Sequence, residues 1–533
     1  MNRNITRKSE YQQNSDQFGG FMNLDSFLSK VFVATAIKSV LSFGVLIFAL
    51  SGCNSVSNEP LGTGGFNNLN PSNQDELLLA DGFTAQVLIK GMDTLRENDL
   101  FGYDVSGLYF DQIDDESARL IVNHELMNPM LATGFYGDMA RMRKQIKTEQ
   151  IAVGVTSLEI NRDGNRWVVN SAVGAEKITA DVSVPFDKPV NGKTKAKGTV
   201  ANRSVIKTSW NSYLSTESVY QEYYGDIQYG TNNYVASRMQ WESFVGESPY
   251  LYGWIVEADD TMEDYQKLTA PGRLRRGGVA LTVKDGMAVL YSTDKRAGGC
   301  LYKFVSDAAD NLENGEIYVA DFENSQWKNI SYGDSLMSNF FGSEAQVLTE
   351  LSLAGKLAGG SPLDNPAGLA IDPESGDLLM AVMHDIEQQK YHGSVLRITE
   401  GSGGFSWDTV IEGSIDNNIS SPSRLTFDQS GNLWIATAIP AALQNQGVYK
   451  SFGNNGLFVL PKGQTSAIQI ASAPVDAKFS GISFSADEKF LFLGVQQPGS
   501  RSTSIYDFDF TSHWPEGGKS KPRSAVVIIG REG

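Results

Sequence analysis

The chain is 533 residues long, and its 41% hydrophobic and 10% aromatic residues are enough to bury a large core in one or two domains. Its formal net charge of −18 at pH 7 repels nucleic acid and anionic membrane surfaces, so a polyanionic partner is not expected. Two cysteines, four histidines and no CxxC motif argue against a disulfide-stabilised domain and against a zinc site.

Residues 1–52 have the pattern of a bacterial lipoprotein signal peptide. Lys30 and Lys38 supply a positive flank for the apolar stretch Ser39–Leu50, which is shorter than the roughly 20 residues of a membrane span. The stretch ends in L-S-G-C, which resembles a lipobox. We therefore expect Cys53 to be lipidated and the protein to reside in the bacterial cell envelope, at the outer membrane or facing the periplasm. An ordinary signal peptide or an N-terminal anchor helix is the alternative.

Residues 53–74 are rich in Gly, Asn, Ser and Pro, a composition typical of a flexible tether between a lipid and a domain. Residues 75–533 would then form the folded part. Because residues 1–52 carry five basic and three acidic side chains, the remainder of the chain has a net charge of −20. If Cys53 is acylated, Cys300 has no cysteine left with which to form a disulfide.

The folded part is predicted to be all-β. The turns that begin at Asp372, Asp428 and Asp487 lie 56 and 59 residues apart, which is the length of a four-stranded propeller blade. We therefore predict a six-bladed β-propeller with long insertions; a pair of β-sandwiches is the alternative. Helix is expected to be scarce, and its best candidates are Tyr136–Gln150 and Leu348–Ala358. Alternating apolar runs joined by Asp- or Gly-containing turns recur at 155–169, 279–291, 368–382, 425–438 and 482–495.

Ten short stretches, spread in order over nearly all of residues 75–533, resemble the PhoX-type alkaline phosphatases. They are Ala85–Ile89, Phe101–Tyr103, Val122–Glu125, Asn128–Pro129, Lys177–Asp181, Trp210–Glu217, Tyr252–Glu257, Leu301–Val305, Gln496–Gly499 and Ser512–Pro515. The resemblance implies a six-bladed propeller that hydrolyses phosphomonoesters with an iron pair and calcium ions on its axis. It also implies export through a twin-arginine signal. No Arg-Arg pair lies near the N-terminus, so the lipoprotein route is expected instead.

The chain departs from this family at the positions of its metal ligands. Arg203 stands where the family pattern N-N-C-A-G-G has an iron-binding cysteine. Gly277 and Gly299 replace the glutamates of the K-H-E-G and D-D-x-R-F-E-Y patterns. Gln497 replaces the histidine of V-N-I-Q-H-P-G, and Lys478 stands where a glutamate is expected.

These departures remove donors from a metal site and add cations to it. Iron and calcium require anionic oxygen or thiolate ligands, and calcium takes six to eight oxygens. A guanidinium next to a ferric pair would be repelled by roughly several kcal/mol in a partly buried site. We therefore do not expect the iron cluster, nor the iron-dependent phosphatase reaction; calcium remains the candidate cofactor.

Three carboxylates are candidate ligands for a reduced calcium site. Glu125, in the motif N-H-E, follows a buried strand and is a candidate ligand or base, with His124 as a phosphate-contacting group. The alternative is that this motif closes a blade through hydrogen bonds. Glu217 and Asp294 match carboxylates of the family and are candidate calcium ligands; a solvated strand-edge residue is the alternative for Glu217.

Arg203, Arg276 and Lys478 suggest that the axis holds an anion where the family holds metals. A guanidinium offers a planar fork that suits phosphate or carboxylate. The alternative is that these are surface residues whose identity drifted.

Two functions follow from these patterns. The first is an exported PhoX-like phosphatase or phosphodiesterase, in which Glu125, Glu217 and Asp294 hold calcium and Arg203 or Arg276 supplies the charge that iron would supply. The second is a lipid-anchored, non-catalytic propeller that binds an anionic small molecule, such as a phosphate ester, or a protein partner at the cell surface. Hydrolysis of a phosphate ester with added calcium or iron distinguishes them.

Overall fold

The computed structural model describes residues 57, 59–96, 99–135, 140–384 and 389–533. The proposed signal peptide, residues 1–52, and Cys53 lie outside the described residues. Most strands belong to six sheets of four to six strands, which form the blades of a β-propeller. Long inner strands such as Phe490–Gln496 are buried at every position, because neighbouring blades cover both of their faces. The six-bladed propeller predicted from the spacing of the turns is confirmed, and the alternative of two β-sandwiches is wrong.

The blades are numbered 1 to 6 in the chain order of their innermost strands, which neighbour one another in a closed ring. Blade 1 contains, from the axis outward, Leu108–Gln112, Ser117–His124 and Gly154–Asp163, with Arg166–Val169 and Ala175–Thr179 both paired to the third strand. Blade 2 contains Asn202–Lys207, Tyr213–Glu217, Ile255–Ala258, Tyr265–Leu268, Ser183–Val190 and Lys193–Lys197. Blade 3 contains Arg276–Lys284, Met287–Asp294, Leu301–Ser306, Gly315–Asp321 and Gln326–Ile330.

The remaining three blades follow the same plan. Blade 4 contains Pro366–Ile371, Leu378–Val382, Ser394–Gly401 and Gly404–Glu412. Blade 5 contains Pro422–Phe427, Leu433–Thr437, Gly456–Leu460, Ile468–Ser472 and Leu78–Leu79. Blade 6 contains Lys478–Phe484, Phe490–Gln496, Ala525–Arg531 and Phe83–Lys90. Blade 6 thus joins strands from both ends of the folded chain, and this antiparallel pairing closes the ring.

Short ribbons and helices lie outside the blades. The two-stranded ribbons pair Thr94–Arg96 with Asp99–Leu100, Asp226–Gln228 with Asn233–Val235, and Ala297–Gly299 with Leu363–Asp364. The α-helices are Pro129–Thr133, Arg143–Gln150, Gln221–Tyr224, Glu242–Val245, Ser335–Phe340, Glu344–Thr349 and Leu351–Leu357, and the 3₁₀ helices are Pro249–Leu251, Gly447–Phe452 and Asp507–Asp509. The two helices predicted from the sequence correspond to Arg143–Gln150 and to the pair ending at Leu357.

Each interface between neighbouring blades has its own apolar cluster. Between blades 6 and 1, Phe110 stacks on Phe492 with ring centroids 4.9 Å apart, and Trp167 packs edge-on against both rings. Burial of such a side chain contributes about 1.5–3 kcal/mol. The core is therefore divided among the blade interfaces, and the axis itself is left to other side chains.

The segment 53–74, expected to be a flexible tether, packs against blades 5 and 6 over its described residues. Leu61 is fully buried, and its backbone N–H donates to the Glu488 carbonyl at 2.8 Å. Phe66 meets the ring of Trp434 edge-on at 6.0 Å. The expectation of a free tether is therefore wrong for these residues, because apolar side chains interrupt the Gly- and Asn-rich sequence.

None of the helices in the described part of the chain has the length and hydropathy of a membrane span. Cys300 is a buried free thiol.

Candidate functional site on the propeller axis

The charged side chains that meet on the axis come from one face of the ring, here called the upper face. In each blade the first residues of the innermost strand pair with the last residues of the second strand. Both of these strand termini therefore lie at the upper face. Arg276 is opposite Asp294 in blade 3, and Lys478 is opposite Gln496 in blade 6. In blades 2 to 6 the register of this hairpin shifts near its upper end. Such irregularities redirect side chains, often at binding sites.

Arg203 crosses the axis from blade 2 and is hydrogen-bonded to three other blades. Its Nη1 donates to both carboxylate oxygens of Glu125, at 3.1 and 2.9 Å, and its Nε donates to the Gly277 carbonyl at 3.0 Å. Its Nη2 donates to Ser423 Oγ at 3.3 Å. Arg203 is 2% exposed and Glu125 3%. The candidate base predicted from the sequence is therefore paired with the arginine that replaces the family's cysteine.

Glu125 is surrounded by positive charge. Burial by itself would raise the pKa of Glu125, but Arg203, Lys295, Lys478 and Arg424 lower it well below its ordinary value. These five residues are called the axial cluster below. A carboxylate held ionised in this way is a poor general base, because it binds a proton weakly.

A second buried carboxyl group lies next to the axial cluster. Gln496 Nε2 donates to Asp104 Oδ2 at 2.7 Å and to Glu125 Oε2 at 3.1 Å, so one amide links the two carboxyl groups. The Leu126 N–H also donates to Asp104 Oδ2, at 3.0 Å. Burial raises the pKa of Asp104 to about 7, although Gln496 and Lys478 act in the opposite direction. Asp104 is therefore partly protonated at neutral pH.

Lys295 and Lys478 are the cations of the axial cluster that lack partners. Both are half-buried, and neither ammonium group forms a hydrogen bond or an ion pair with any described residue. Burial, together with Arg203 and other cations nearby, lowers the pKa of each lysine below its ordinary value, although Glu125 acts in the opposite direction. A negative charge placed between the two lysines would stabilise their protonated forms.

Arg424 lies beside Arg203. Its Nη1 donates to Ser204 Oγ at 3.1 Å, and its Nη2 donates to the Arg203 carbonyl at 3.2 Å. The axial cluster therefore contains four basic side chains and a single carboxylate, which Arg203 already binds.

His124 does not face the axial cluster. Burial lowers its pKa to about 3, so the ring is neutral at pH 7. Because a carbonyl oxygen only accepts, Nδ1 donates to the Asp104 carbonyl at 3.0 Å, and Nε2 accepts from the Thr156 hydroxyl at 2.9 Å. Phe101 packs edge-on against the ring, with centroids 5.0 Å apart. The prediction of a phosphate-contacting histidine gives way to the alternative, a hydrogen-bonded closure of blade 1.

Arg276 also points away from the axial cluster, contrary to the sequence prediction. Its guanidinium is fully buried and donates to the carbonyls of Gly253, Pro271 and Gly272. Burial lowers its pKa to about 9, with Asp294 acting in the opposite direction. A guanidinium engaged with three carbonyls supports the loop that ends at Gly272 and is not available to an axial ligand.

Glu217 and Asp294 have no coordination site left for a cation. Both oxygens of Glu217 accept hydrogen bonds, the shortest being from the Gly253 N–H at 2.7 Å and from Lys267 Nζ at 2.8 Å. Asp294 accepts from Ser352 Oγ at 2.6 Å and from Arg296 Nε at 2.9 Å. Both carboxylates are fully buried, and their negative charge is already balanced by a lysine or an arginine.

The donors present do not fit the iron and calcium ions that the resemblance to the PhoX-type phosphatases implies. Glu125, Glu217 and Asp294 are each paired with a basic side chain. No group of three or more His, Cys, Asp or Glu suited to a metal occurs among the described residues. The reduced calcium site predicted at these three carboxylates is therefore not assembled.

Four residues near the axis were missed as candidates: Asp104, Lys295, Arg424 and Gln496. Lys295 and Gln496 lie at the upper ends of second strands, in blades 3 and 6. Their position relative to the predicted hairpins could have identified them. Asp104 precedes an innermost strand in a loop, and no sequence pattern distinguishes it from other acidic loop residues.

The comparisons with known proteins agree with the fold. The family described as "Alkaline phosphatase PhoX" matches residues 64–499. The structure of Pseudomonas fluorescens PhoX in complex with vanadate, a transition state analogue, matches with 24% identity and a TM-score of 0.78, over 88% of this chain and 98% of that one. A comparison with curated proteins finds no match.

Two further solved structures match at lower similarity. A gluconolactonase from Xanthomonas campestris has 9% identity and a TM-score of 0.37, over 88% of this chain and 99% of its own. A protein of unknown function from Dyadobacter fermentans has 10% identity and a TM-score of 0.41, over 85% and 100%. Because the family match spans most of the folded chain, and the fold is that of PhoX, this protein belongs to the PhoX alkaline phosphatase family.

Proposed function

We propose that this chain is a PhoX-family propeller that binds a phosphate ester or a related phosphate-type anion at the upper side of its axial cluster, with basic side chains in place of metal ions. The observation that carries the proposal is the pair Lys295 and Lys478. They are two half-buried ammonium groups without partners among the described residues, next to a carboxylate already bound by Arg203. An anion is the missing counter-charge.

The charge balance favours an anion with more than one negative charge. Like charges held close together in a partly buried site repel one another, and an anion between them removes that cost. Phosphate monoesters carry close to two negative charges at neutral pH and several acceptor oxygens. Two ammonium groups, each with three donors, match those acceptors.

Hydrolysis of the bound ester is the second candidate function, and membership of the PhoX family favours it. The axial cluster supplies positive charge where negative charge would develop on a phosphoryl group. Its single carboxylate is held by Arg203 and Gln496, so no residue of the axial cluster is free to act as a general base, and the neighbouring Asp104 is fully buried. For this reason ligand binding is the first candidate function and hydrolysis is the second.

The proposal is tested by thermal unfolding with inorganic phosphate and para-nitrophenyl phosphate as probes. At a ligand concentration of 100 times Kd we expect Tm to rise by about 2–3 °C for a domain of this size. Lys295→Gln and Lys478→Gln should each reduce the shift, and the double variant should abolish it. Lys193→Gln, at an exposed strand position, is the matched control and should retain the full shift.

An unchanged phosphate shift in the double variant would contradict the proposal, as would equal shifts by phosphate and by chloride at the same ionic strength. Release of para-nitrophenol, measured with and without added calcium or iron, separates the two candidate functions. Turnover that Lys478→Gln reduces supports hydrolysis, whereas a phosphate shift without turnover supports binding alone.

The location of the protein forms part of the proposal. Export as a lipoprotein, with an acyl chain on Cys53, is supported by the apolar stretch that ends in L-S-G-C. A lipid-anchored propeller in the cell envelope would meet small phosphate esters outside the cytoplasm.

A further inference from the structure

A cavity lies on the side of the axial arginines opposite to Lys295 and Lys478. It has a volume of about 720 Å³ and is lined by residues of the innermost strands of all six blades. Ser204 and Arg424 line its inner end, and the turn residues Gln429 and Glu488 line its outer part. Glu125, Arg203, Lys295 and Lys478 do not contribute to its wall. The upper site and this channel are therefore separated by the two arginines.

The inner end of the channel is open because the innermost strands carry almost no side chains there. Equivalent positions in the six blades are occupied by four glycines, a serine and an arginine, in chain order Gly107, Ser204, Gly278, Gly368, Arg424 and Gly481. A Cβ on Gly481 would lie 2.2 Å from the Leu108 nitrogen, and a Cβ on Gly368 would lie 2.7 Å from the Ser423 carbonyl. The glycines let neighbouring strands approach closely, and the arginine is the one charged group at this level.

Arg424 is buried and forms no ion pair with an acidic side chain in the described part of the chain. It is 8% exposed, and its two hydrogen bonds to described residues go to the neutral oxygens of Ser204 and Arg203. Burial, together with Arg203, lowers its pKa to about 9, although Glu125 acts in the opposite direction. A buried charge without a counter-charge is costly. An anion in the channel would relieve that cost.

The wall below Arg424 combines aliphatic residues with polar ones, among them Lys207, Thr426 and Ser483. The next residue of each innermost strand is aliphatic, and these residues are Leu108, Val205, Val279, Leu369, Leu425 and Ile482. Further along the channel the wall includes Leu281, Ile371, Phe427 and Phe484. The five or six strand residues from Arg424 to the outer turns span roughly 15–20 Å at 3.3 Å per residue. The volume lies within the range of small-molecule sites, about 300–1,000 Å³.

We propose that the channel is a second binding site, for a slender organic anion whose carboxylate or phosphate head meets Arg424 and Ser204 and whose apolar body lies along the aliphatic wall. The phosphate-type anion of the upper site requires no apolar body, so the two sites differ in ligand class. The channel site does not depend on the proposed function of the upper site.

The test is isothermal titration of the full folded chain with linear carboxylates from butyrate to decanoate, below their micelle concentrations. We expect the affinity to rise about two- to fourfold with each added methylene until the channel is filled. Octyl phosphate, titrated beside nonanoate, shows which head group Arg424 prefers. An affinity that does not increase with chain length would overturn the proposal.

Variants assign the binding to the channel. Arg424→Gln should weaken octanoate binding at least tenfold. Thr426→Phe narrows the channel at a half-buried wall residue whose side chain has no hydrogen bond to a described residue, and should reduce the longest chain length that binds. This second variant keeps the test decisive if Arg424→Gln fails to fold. Lys193→Gln, at an exposed position on an outer strand of blade 2, is the control and should leave octanoate affinity unchanged. Equal octanoate affinity in wild type, Arg424→Gln and Thr426→Phe would refute the channel site.

Discussion

Arg203 is the residue that decides the chemistry of the axis. It binds Glu125 through two hydrogen bonds and reaches Gly277 and Ser423 in blades 3 and 5. A metal ion could not use Glu125 without displacing a buried guanidinium, and breaking such a buried pair costs about 3–5 kcal/mol. A fixed cation therefore occupies the position where the resemblance to the PhoX-type phosphatases predicts a metal ligand.

Asp104 gives the folded protein a pH dependence that can be measured. Its pKa is raised by burial to about 7, whereas in the unfolded chain it lies near 4. Between these values the native state binds the additional proton, so the contribution of Asp104 to the free energy of unfolding falls as pH rises from 4 to 7. Asp104→Asn removes this pH-dependent loss of stability and keeps a side-chain oxygen that can accept a hydrogen bond from Gln496.

Urea unfolding at pH 4.5, 6 and 7.5 measures the effect. We expect Asp104→Asn to become more stable relative to wild type as pH increases, by about 3 kcal/mol in total between pH 4.5 and 7.5. The exposed Asp115→Asn serves as control and should show no such trend. A difference between Asp104→Asn and wild type that is constant with pH would contradict the assignment.

At the scale of the element, the innermost strands are specialised at their upper ends. Four of the six strands carry glycine next to the axis, because a side chain there would collide with the backbone of the neighbouring strand. This close approach brings Arg203 and Arg424 within reach of other blades. The close packing of neighbouring blades therefore determines the residue at these positions. β-propensity does not, because it disfavours glycine.

Gly481→Ala tests this requirement. The added Cβ would lie 2.2 Å from the Leu108 nitrogen, a backbone atom that cannot move without shifting blade 1. We expect the free energy of unfolding to fall by about 2–4 kcal/mol, as for other overpacked core positions. Gly403→Ala, where a Cβ meets no atom within 4 Å, should change it by less than about 0.5 kcal/mol. Equal stability of the two variants by chemical denaturation would show that the inner strands can separate.

At the scale of the whole molecule, the ring depends on both ends of the folded chain. Phe83–Lys90 and Ala525–Arg531 pair in blade 6, and Leu78–Leu79 completes blade 5. Leu61 and Phe66 extend the packed region further toward the N-terminus.

The proposed lipid anchor is a property of the whole molecule and is tested in cells. We expect metabolically supplied palmitate to label the wild-type protein in membrane fractions. Cys53→Ser should abolish the labelling and release the protein from the membrane. Cys300→Ser is the matched control, since that thiol is buried in the fold. Labelling that persists in Cys53→Ser would contradict the lipoprotein proposal.

The sequence by itself determined the architecture. Recurring hairpins with turns at Asp372, Asp428 and Asp487 predicted the blades, and these turns follow the innermost strands of blades 4, 5 and 6. The turn at Asp163-Gly164 instead joins two outer strands of blade 1, because periodicity reports a hairpin but not its distance from the axis. The sequence also placed Arg203 where a metal ligand was expected, and predicted Glu125 as its neighbour in a site.

Only the tertiary structure decided which charges share the axis. Arg276 lies on an innermost strand, yet its guanidinium donates to three carbonyls. Arg424 and Lys295, which were not among the candidates from the sequence, lie near Glu125 instead. The physical reason is that the six blades bring together, at the propeller axis, residues that lie hundreds of positions apart in the sequence. Register shifts at the upper ends of the strands then determine which of these side chains point toward the axis.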